Sequence, residues 1–436
     1  MIGQEIHDFA KSLWNFNRSL TGEGVRETLR AIQKILPNLE IKEYPTGMAA
    51  FDWTIPKEWV IREAWSKSPE GEFVCEFSKN NLHLVGYSTP IHERMSLNKL
   101  QTHLHSLPEQ PTAIPYVTSY YKENWGFCLS ENVRSELKDG EYEIYIDSEL
   151  IDGHLTYGEL IIPGESSSEI LLSTYVCHPS MANNELSGPS VTTYIAKWLL
   201  SWPGNRLTYR ILFIPETIGS IAYISQNLEE LQSKVIAGFN ITCIGDDRNY
   251  SYLPSRNGET LSDKVAIHVL THLTSSFEKY TWAMRGSDER QYCAPGVDLP
   301  IASIMRTRYG DYPEYHTSLD NLTDVVTPNG LEGGYKALRY SIEAIEENSY
   351  PRVKVLCEPQ LGKRGLYPNV STKTSGHEIR LLMNVISWSD GKTSLIEIAE
   401  LCKVAVWDLY PIVDILVKNE LIELLDSPID NDDRGR

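Results

Sequence analysis

The stretch 170–200, ILLSTYVCHPSMANNELSGPSVTTYIAKWLL, constrains the fold more tightly than any other part of this chain. It opens on Ile170-Leu171-Leu172, a short apolar run of the kind that forms a buried strand. Cys177-His178-Pro179 follows, then a polar loop at Asn183-Asn184-Glu185 and a turn at Ser187-Gly188. From there Val191, Tyr194, Ile195, Trp198 and Leu199 recur at helical spacing. A strand that hands a histidine to a polar loop ahead of a helix is a frequent way to build a site, because open α/β sheets bind ligands at the carboxyl ends of their strands.

The rest of the chain arranges itself around that unit. Strand patterns at 157–162, 170–175, 209–214, 235–243 and 301–305 alternate with helical ones, which predicts an α/β fold with a mainly parallel sheet covered by helices. Ahead of it, residues 5–36 read as helix with a break at Arg18–Gly24, and 39–44 as an edge strand. Residues 45–155 differ, with short alternating runs at 73–77, 82–87, 125–129 and 142–148 between turn signals. Such alternation cannot enter a parallel sheet buried on both faces, so it predicts a separate β-rich insertion overhanging the His178 loop. Beyond Pro351, residues 352–376 read as loop, and helical patterns at 379–387, 394–401 and 404–418 precede a β-run at 421–425. That order predicts a winged helix. The domain boundaries are therefore 1–44 with 156–351, then 45–155, then 377–428, with a charged tail.

Charge and composition exclude several functions. A net charge of −19 argues against nucleic acid as a partner, since phosphate binding needs a cationic face. The winged-helix segment carries Glu397, Glu400, Asp408, Asp414, Glu420, Glu423 and Asp426 against Arg380, Lys392, Lys403 and Lys418. This points to a module for a protein partner or homo-oligomer contact. No uncharged apolar window long enough to span a membrane occurs, and the start is an amphipathic helix instead of a signal peptide. Seven scattered cysteines without a CxxC predict reduced thiols in a cytoplasmic protein.

Four polar clusters face one another in such a fold, at least three of them past the carboxyl end of a predicted strand. They are CHPS…NNELSG with His178 and Glu185, PETIGS with Glu216, GSDERQY with Asp288, Glu289 and Arg290, and EYHTSLD with Tyr315 and His316. Taken alone, Glu216 also suits a helix N-terminus, and Asp288-Glu289-Arg290 a solvated charge run. Cys177 and His178, as neighbours on a strand, are expected to point to opposite faces.

In this order the clusters resemble the zinc aminopeptidase superfamily of bacterial leucyl aminopeptidases, glutamate carboxypeptidases and glutaminyl cyclases. That family carries H-x-D, D-x-x-S-G, E-E-x-G, D, S-D and Y-H-T-x-x-D. More narrowly, the chain resembles bacterial aminopeptidase-like proteins with an inserted β-domain and a C-terminal winged helix, a group linked to surface-polysaccharide clusters. The resemblance implies that His178 and His316 are metal ligands and that Glu216 is the general base. Ser180, Asn184, Thr217 and Thr242 stand where the family has carboxylates. A two-zinc site is thereby rejected, because a neutral Asn184 cannot offset the repulsion between two dications. One zinc ion then needs a third ligand, for which Glu185 is the first candidate and Asp288, Asp246 and Asp247 are reserves. Asp288, Glu289, Arg290 and Tyr315 would line the pocket for a small peptide or amide. The implied activity is hydrolysis of that amide. The alternatives are an amide hydrolase acting on an amino-sugar precursor, and a peptidase fold without metal that binds a ligand.

Overall fold

The computed structural model describes residues 1–120, 122–366 and 373–429. Residues 367–372 of the expected loop, and the tail from 430, lie outside the described residues. The chain divides into two compact units, one of Met1–Asp263 with Phe277–Leu338, the other of Lys264–Ser276 with the chain from Arg339 onward.

The first unit is built on an eight-stranded sheet. Its strands are β1 (Glu40–Pro45), β2 (His154–Ile162), β3 (Glu169–Tyr175), β4 (Thr208–Ile214), β5 (Val235–Asn240), β6 (Ser251–Leu253), β7 (Glu278–Lys279) and β8 (Ile301–Met305), in the spatial order β1-β2-β4-β3-β5-β8-β6-β7. The four central strands β4-β3-β5-β8 are parallel, while β1 and β2 add antiparallel strands at one side and β6 pairs antiparallel with β8 at the other. Every residue of β3 is buried, as its continuous apolar run requires of a strand covered on both faces. Leu172 at its centre lies opposite Ile211 of β4 and Phe239 of β5. Helix Ile218–Lys234 packs Ile218, Ile221, Ala222 and Ile224 into the core that contains Leu171, Leu212 and Ile301. The expected strand at 235–243 stops at Asn240, and Cys243 takes a left-handed φ of 48°. The chain there leaves the sheet to form the site floor.

The inserted residues form their own four-stranded antiparallel sheet, ordered Phe73–Glu76, Glu58–Lys67, Glu141–Ile151, Ile91–Ser96. A second core of Trp59, Met95, Phe127, Tyr142 and Ile144 lies with it. Its alternation buries Tyr142, Ile144, Ile146 and Ser148 and turns the residues between them outward. This sheet is not continuous with the eight-stranded one, yet it belongs to the same compact unit.

The second unit carries helices Lys373–Trp388, Leu395–Cys402 and Val406–Lys418. Ser394 and Glu397 close a reciprocal capping box at the second of these. Lys403 at φ 57° ends it, so the third helix starts at Val406, two residues later than its apolar pattern. The run Ile422–Leu425 pairs antiparallel with Tyr350–Val353, a strand that precedes all three helices and lies outside the expected 377–428 boundary. His268 is spent on this packing. Its Nδ1–H donates to Glu400 and its Nε2 accepts the Val406 N–H at 2.9 Å. With both its nitrogens committed, His268 has no lone pair left for a ligand beside its neighbours His272 and Glu400. Along Val406–Lys418, Asp408 and Asp414 oppose the single cation Lys418. The full chain should therefore show no duplex DNA binding tighter than about micromolar at physiological salt in a fluorescence-anisotropy titration. Sub-micromolar binding with a steep salt dependence would contradict this.

Candidate active site

The site forms where β3, β4 and β5 end. After Tyr175 the chain carries His178, bends at Ser180 with φ 26°, and passes through a wide π-type turn, Ala182–Leu186, into helix Ser187–Ser201. Gly188 is required at that junction. A Cβ there would meet Thr174 Oγ1 at 2.5 Å and the Ile241 carbonyl oxygen at 2.6 Å. Thr217, after β4, has φ 65°, and His316 has φ 56°. Left-handed backbone in Ser180, Thr217, Cys243 and His316 therefore gathers at one edge of the sheet, as strained conformations often do at functional sites.

His178 is held from behind. Glu185 Oε2 accepts the backbone N–H groups of Cys177 (3.3 Å) and His178 (3.0 Å) and lies 3.2 Å from His178 Nδ1. Its other oxygen is 3.0 Å from Arg18 Nε, and both side chains are fully buried. The same guanidinium donates to the His178 carbonyl oxygen at 2.9 Å and to the Leu13 carbonyl oxygen at 2.7 Å. Burial lowers the Arg18 pKa, which the Glu185 charge opposes. Burial also works against a charge on His178, but the Glu185 hydrogen bond and the charges of Glu185 and Glu216 raise its pKa overall. Nδ1 is thus committed to Glu185, and Nε2 faces the pocket, 3.8 Å from Glu216 Oε2.

Glu216 receives a hydrogen bond from Ser287 Oγ at 2.8 Å, and burial pushes its pKa up against the opposing charge of His178. Asp288 lies behind it, accepting Thr217 N–H and Ser220 Oγ–H on Oδ1, each at 2.8 Å. Burial and the Glu216 charge raise Asp288 to about 7. His316 stacks on Tyr315 with ring centroids 3.9 Å apart, and burial together with His178 lowers its pKa to about 3. The two imidazole centroids are 5.7 Å apart. A cavity of about 200 Å³ opens onto His178 and Glu216, lined also by Thr217 and Ile218 from the sheet edge and by Leu20, Trp53, Pro56 and Tyr120.

Several sequence expectations change. Glu185 sits on the far side of His178 from Glu216, salt-bridged to Arg18, so it holds the imidazole instead of joining His316 as a ligand. Glu289 is consumed internally by the Gly286 and Ser287 N–H groups, the Tyr309 hydroxyl and the Asn240 amide. Asp288 is likewise buried behind Glu216, and the half-buried Arg290 and Tyr315 do not line the cavity themselves. Arg290 donates to Thr217 Oγ1 at 2.7 Å. Asp246 is bonded to Asn183 and Thr307, and Asp247 to Thr327 and Asn329, so neither reserve ligand is free. Cys177 does meet His178, with Sγ 3.4 Å from Nδ1, because both lie past the end of β3. Its thiol is pushed well above its ordinary pKa by burial and by Glu185, so it is no thiolate nucleophile.

Five residues were not read from the sequence. Arg18 and Asp320 hold the loops: Asp320 accepts the N–H groups of Asn183 (2.7 Å) and Asn184 (2.9 Å), with its pKa raised to about 6 by burial. Tyr175 places its hydroxyl 2.6 Å from Thr242 Oγ1 and 2.8 Å from Asn184 Nδ2. Tyr116 and Tyr120 enter from the insertion, their hydroxyls 2.9 Å apart. Only Asp320 had a signal, as the aspartate closing Y-H-T-x-x-D.

The sheet, its loop edge and the His178–Glu216 pair define a protein of the zinc-aminopeptidase fold. The fold matches the zinc aminopeptidase BSAP of Bacillus subtilis with a TM-score of 0.57 at 12% identity, over 78% of this chain and 94% of that one. An M28 peptidase precursor of Shewanella amazonensis gives 0.55 at 13% identity, over 82% and 97%. The chain belongs to the family described as "Domain of unknown function (DUF4910)", matched over residues 7–348, and residues 348–424 match a winged helix-turn-helix family. A Clostridium acetobutylicum protein named for polysaccharide biosynthesis and an aminopeptidase-like domain is 44% identical over 425 residues, 97% of each chain. A crystal structure of a Clostridium acetobutylicum protein described as a peptidase superposes with a TM-score of 0.91 at 43% identity, over 97% and 96%. Among the described residues, no helix is long and apolar enough to cross a membrane.

The fold family implies zinc, and the residues decide how much of it this chain suits. A pair of ions does not fit. Asn184, Thr217 and Thr242 bring no charge, and the Tyr175 hydroxyl is threaded between Asn184 and Thr242. The tight cluster Cys177, His178 and Glu185 does not fit either, since its carboxylate is spent on Arg18 and on the Cys177 and His178 N–H groups. One ion fits better. His178 Nε2 is free on the pocket side, His316 is a neutral imidazole, and Asn184 Oδ1 is buried without a hydrogen-bond partner. Because Arg18 neutralises the buried Glu185, Arg18→Met should destabilise the protein by about 3–5 kcal/mol in urea unfolding, the usual effect of stripping one partner from a buried pair. A loss under about 1 kcal/mol would show that the pair carries little.

Proposed function

We propose that this chain is a metal-dependent hydrolase that cleaves an amide next to a free amino group on a small peptide or related substrate. The observation that carries the reading is Glu216, a carboxyl with a raised pKa at the pocket wall, 3.8 Å from His178 Nε2 and fixed by Ser287. His178 and His316 would hold one zinc ion, with Asn184 Oδ1 the neutral oxygen nearest to them in role. A bound divalent ion supplies positive charge that polarises the scissile carbonyl. Glu216 takes a proton from water as its oxygen bonds to the carbonyl carbon. It returns the proton to the amine as the C–N bond breaks. The Ser287 hydrogen bond keeps the carboxylate aimed during both transfers. Trp53, Leu20 and Pro56 give the pocket an apolar wall, and Arg290 is tied to its Thr217.

Two further readings each have one observation in favour. The relative named for polysaccharide biosynthesis, with the indole of Trp53 in the pocket, favours an amino-sugar amide as substrate. Neutral residues at Asn184, Thr217 and Thr242 favour a binding protein that has lost its metal. The seven free cysteines suit a cytoplasmic setting, and we assign 1–44 with 156–351 to the catalytic region, 45–155 to the insertion and 377–428 to the winged helix.

Zinc-loaded full-length protein should be assayed on aminoacyl amides and on N-acylated amino sugars. Glu216→Gln should lower turnover by about 10²–10⁴-fold while retaining zinc. Asn184→Asp should tighten zinc by adding an anionic oxygen, and His316→Ala should lose it. Wild-type turnover in Glu216→Gln would eliminate the general-base role. A wild type that holds no zinc, with binding gained only in Asn184→Asp, would favour the binding protein.

A further inference from the structure

The inserted segment does more than cover the pocket. Residues 110–118 are strapped to the His316 loop by backbone and side-chain hydrogen bonds. The Tyr116 N–H donates to the His316 carbonyl oxygen at 2.8 Å, and the Ser318 N–H to that of Ile114 at 2.9 Å. The Ile114 N–H donates to Ser318 Oγ at 3.0 Å, and Gln110 Nε2 to the Pro313 carbonyl oxygen at 2.7 Å. Pro115 and Thr317 form an isolated antiparallel bridge between these contacts.

The strap delivers one ring between the two histidines. Tyr116 lies 5.2 Å from His316 at 85° and 5.3 Å from His178 at 64°, an edge contact with each. The two imidazoles differ in how they are held. His178 has Glu185 on Nδ1, whereas the His316 ring has no hydrogen-bond partner among the described residues. His316 also sits on left-handed backbone, at φ 56°. Its orientation therefore depends on packing alone, with Tyr315 stacked on its face and Tyr116 against it edge-on. Metal-binding imidazoles usually have their second nitrogen fixed by a carboxylate or carbonyl, and losing such support weakens metal binding.

We propose that Tyr116 of the insertion is the positioning residue that holds His316 toward His178, so that the metal site is incomplete without the insertion. This rests on the reading that the two histidines share one divalent ion. The ring is the working part, and its hydroxyl, bonded to Tyr120, is not.

The test is zinc affinity of the full chain, measured by chelator competition, with the absorption spectrum of the cobalt-substituted protein as a second readout. Tyr116→Phe keeps the ring and should bind zinc as the wild type does. Tyr116→Leu should weaken binding by about tenfold or more and shift the cobalt spectrum. Tyr142→Leu, which removes a buried aromatic on the strand Glu141–Ile151 elsewhere in the insertion, should lower stability without changing affinity. Should Tyr116→Leu fail to fold, Ser318→Ala loosens the strap without touching the ring and should weaken zinc by a smaller but measurable factor. Unchanged affinity in both strap variants overturns the proposal and leaves the one-ion reading standing. Equal losses in Tyr116→Phe and Tyr116→Leu, or in Tyr142→Leu and Tyr116→Leu, also overturn it. A wild type that binds no zinc overturns the one-ion reading, and this proposal with it.

Discussion

Arg18 and Glu185 form the contact on which the site depends. Two charges with no solvent exposure are expensive to bury, and their attraction offsets that cost only when the remaining donors and acceptors are satisfied as well. Here most of them are used, and Arg18 Nη2 is left buried without a hydrogen-bond partner. Glu185 gathers two backbone N–H groups and the His178 imidazole, while Arg18 ties down the His178 carbonyl oxygen and the end of the first helix. The pair fixes both the backbone and the ring of His178, and so decides which nitrogen faces the pocket. Arg18 lies in the break between the first helix, which ends at Leu13, and the second, which starts at Glu23, and from there its guanidinium reaches the loop after β3.

Around that fixed histidine the site has a low density of negative charge. A zinc aminopeptidase site balances its ions with carboxylates, but this chain places an amide and two hydroxyls at those positions and joins two of them through Tyr175. The carboxyls that remain are either sealed behind the site, as with Asp288 and Glu289, or salt-bridged, as with Glu185. Among the described residues, Glu216 alone keeps a carboxylate at the pocket. Such an arrangement leaves charge compensation for at most one dication, and it places more weight on the geometry of two neutral imidazoles.

The parallel sheet and its site edge were legible in the sequence because β3 and its neighbours are buried on both faces. Burial of that kind writes continuous apolar runs, and the polar clusters that interrupt them mark the strand ends. His178 and Glu216 were legible as strand-end residues for the same reason, whereas His316 was legible through the resemblance carried by EYHTSLD. The direction of Glu185 was not, because a π-type turn rotates it away from the face that simple loop geometry suggests. Arg18 left no trace, since a single cation between apolar helices looks like a surface residue until its partner is known. Tyr116 was hidden more deeply. Its segment has neither helical nor strand period, and its partners are 200 residues further along the chain, set by hydrogen bonds to the His316 loop.

The most direct test of the account is anomalous scattering at the zinc edge from crystals of the full chain grown with zinc. The account predicts one peak on the pocket side of His178, within bonding distance of Nε2 and of the His316 imidazole, with Glu185 still paired to Arg18. Two peaks about 3.5–4 Å apart, or a single ion bound by Glu185 and Cys177, would contradict it.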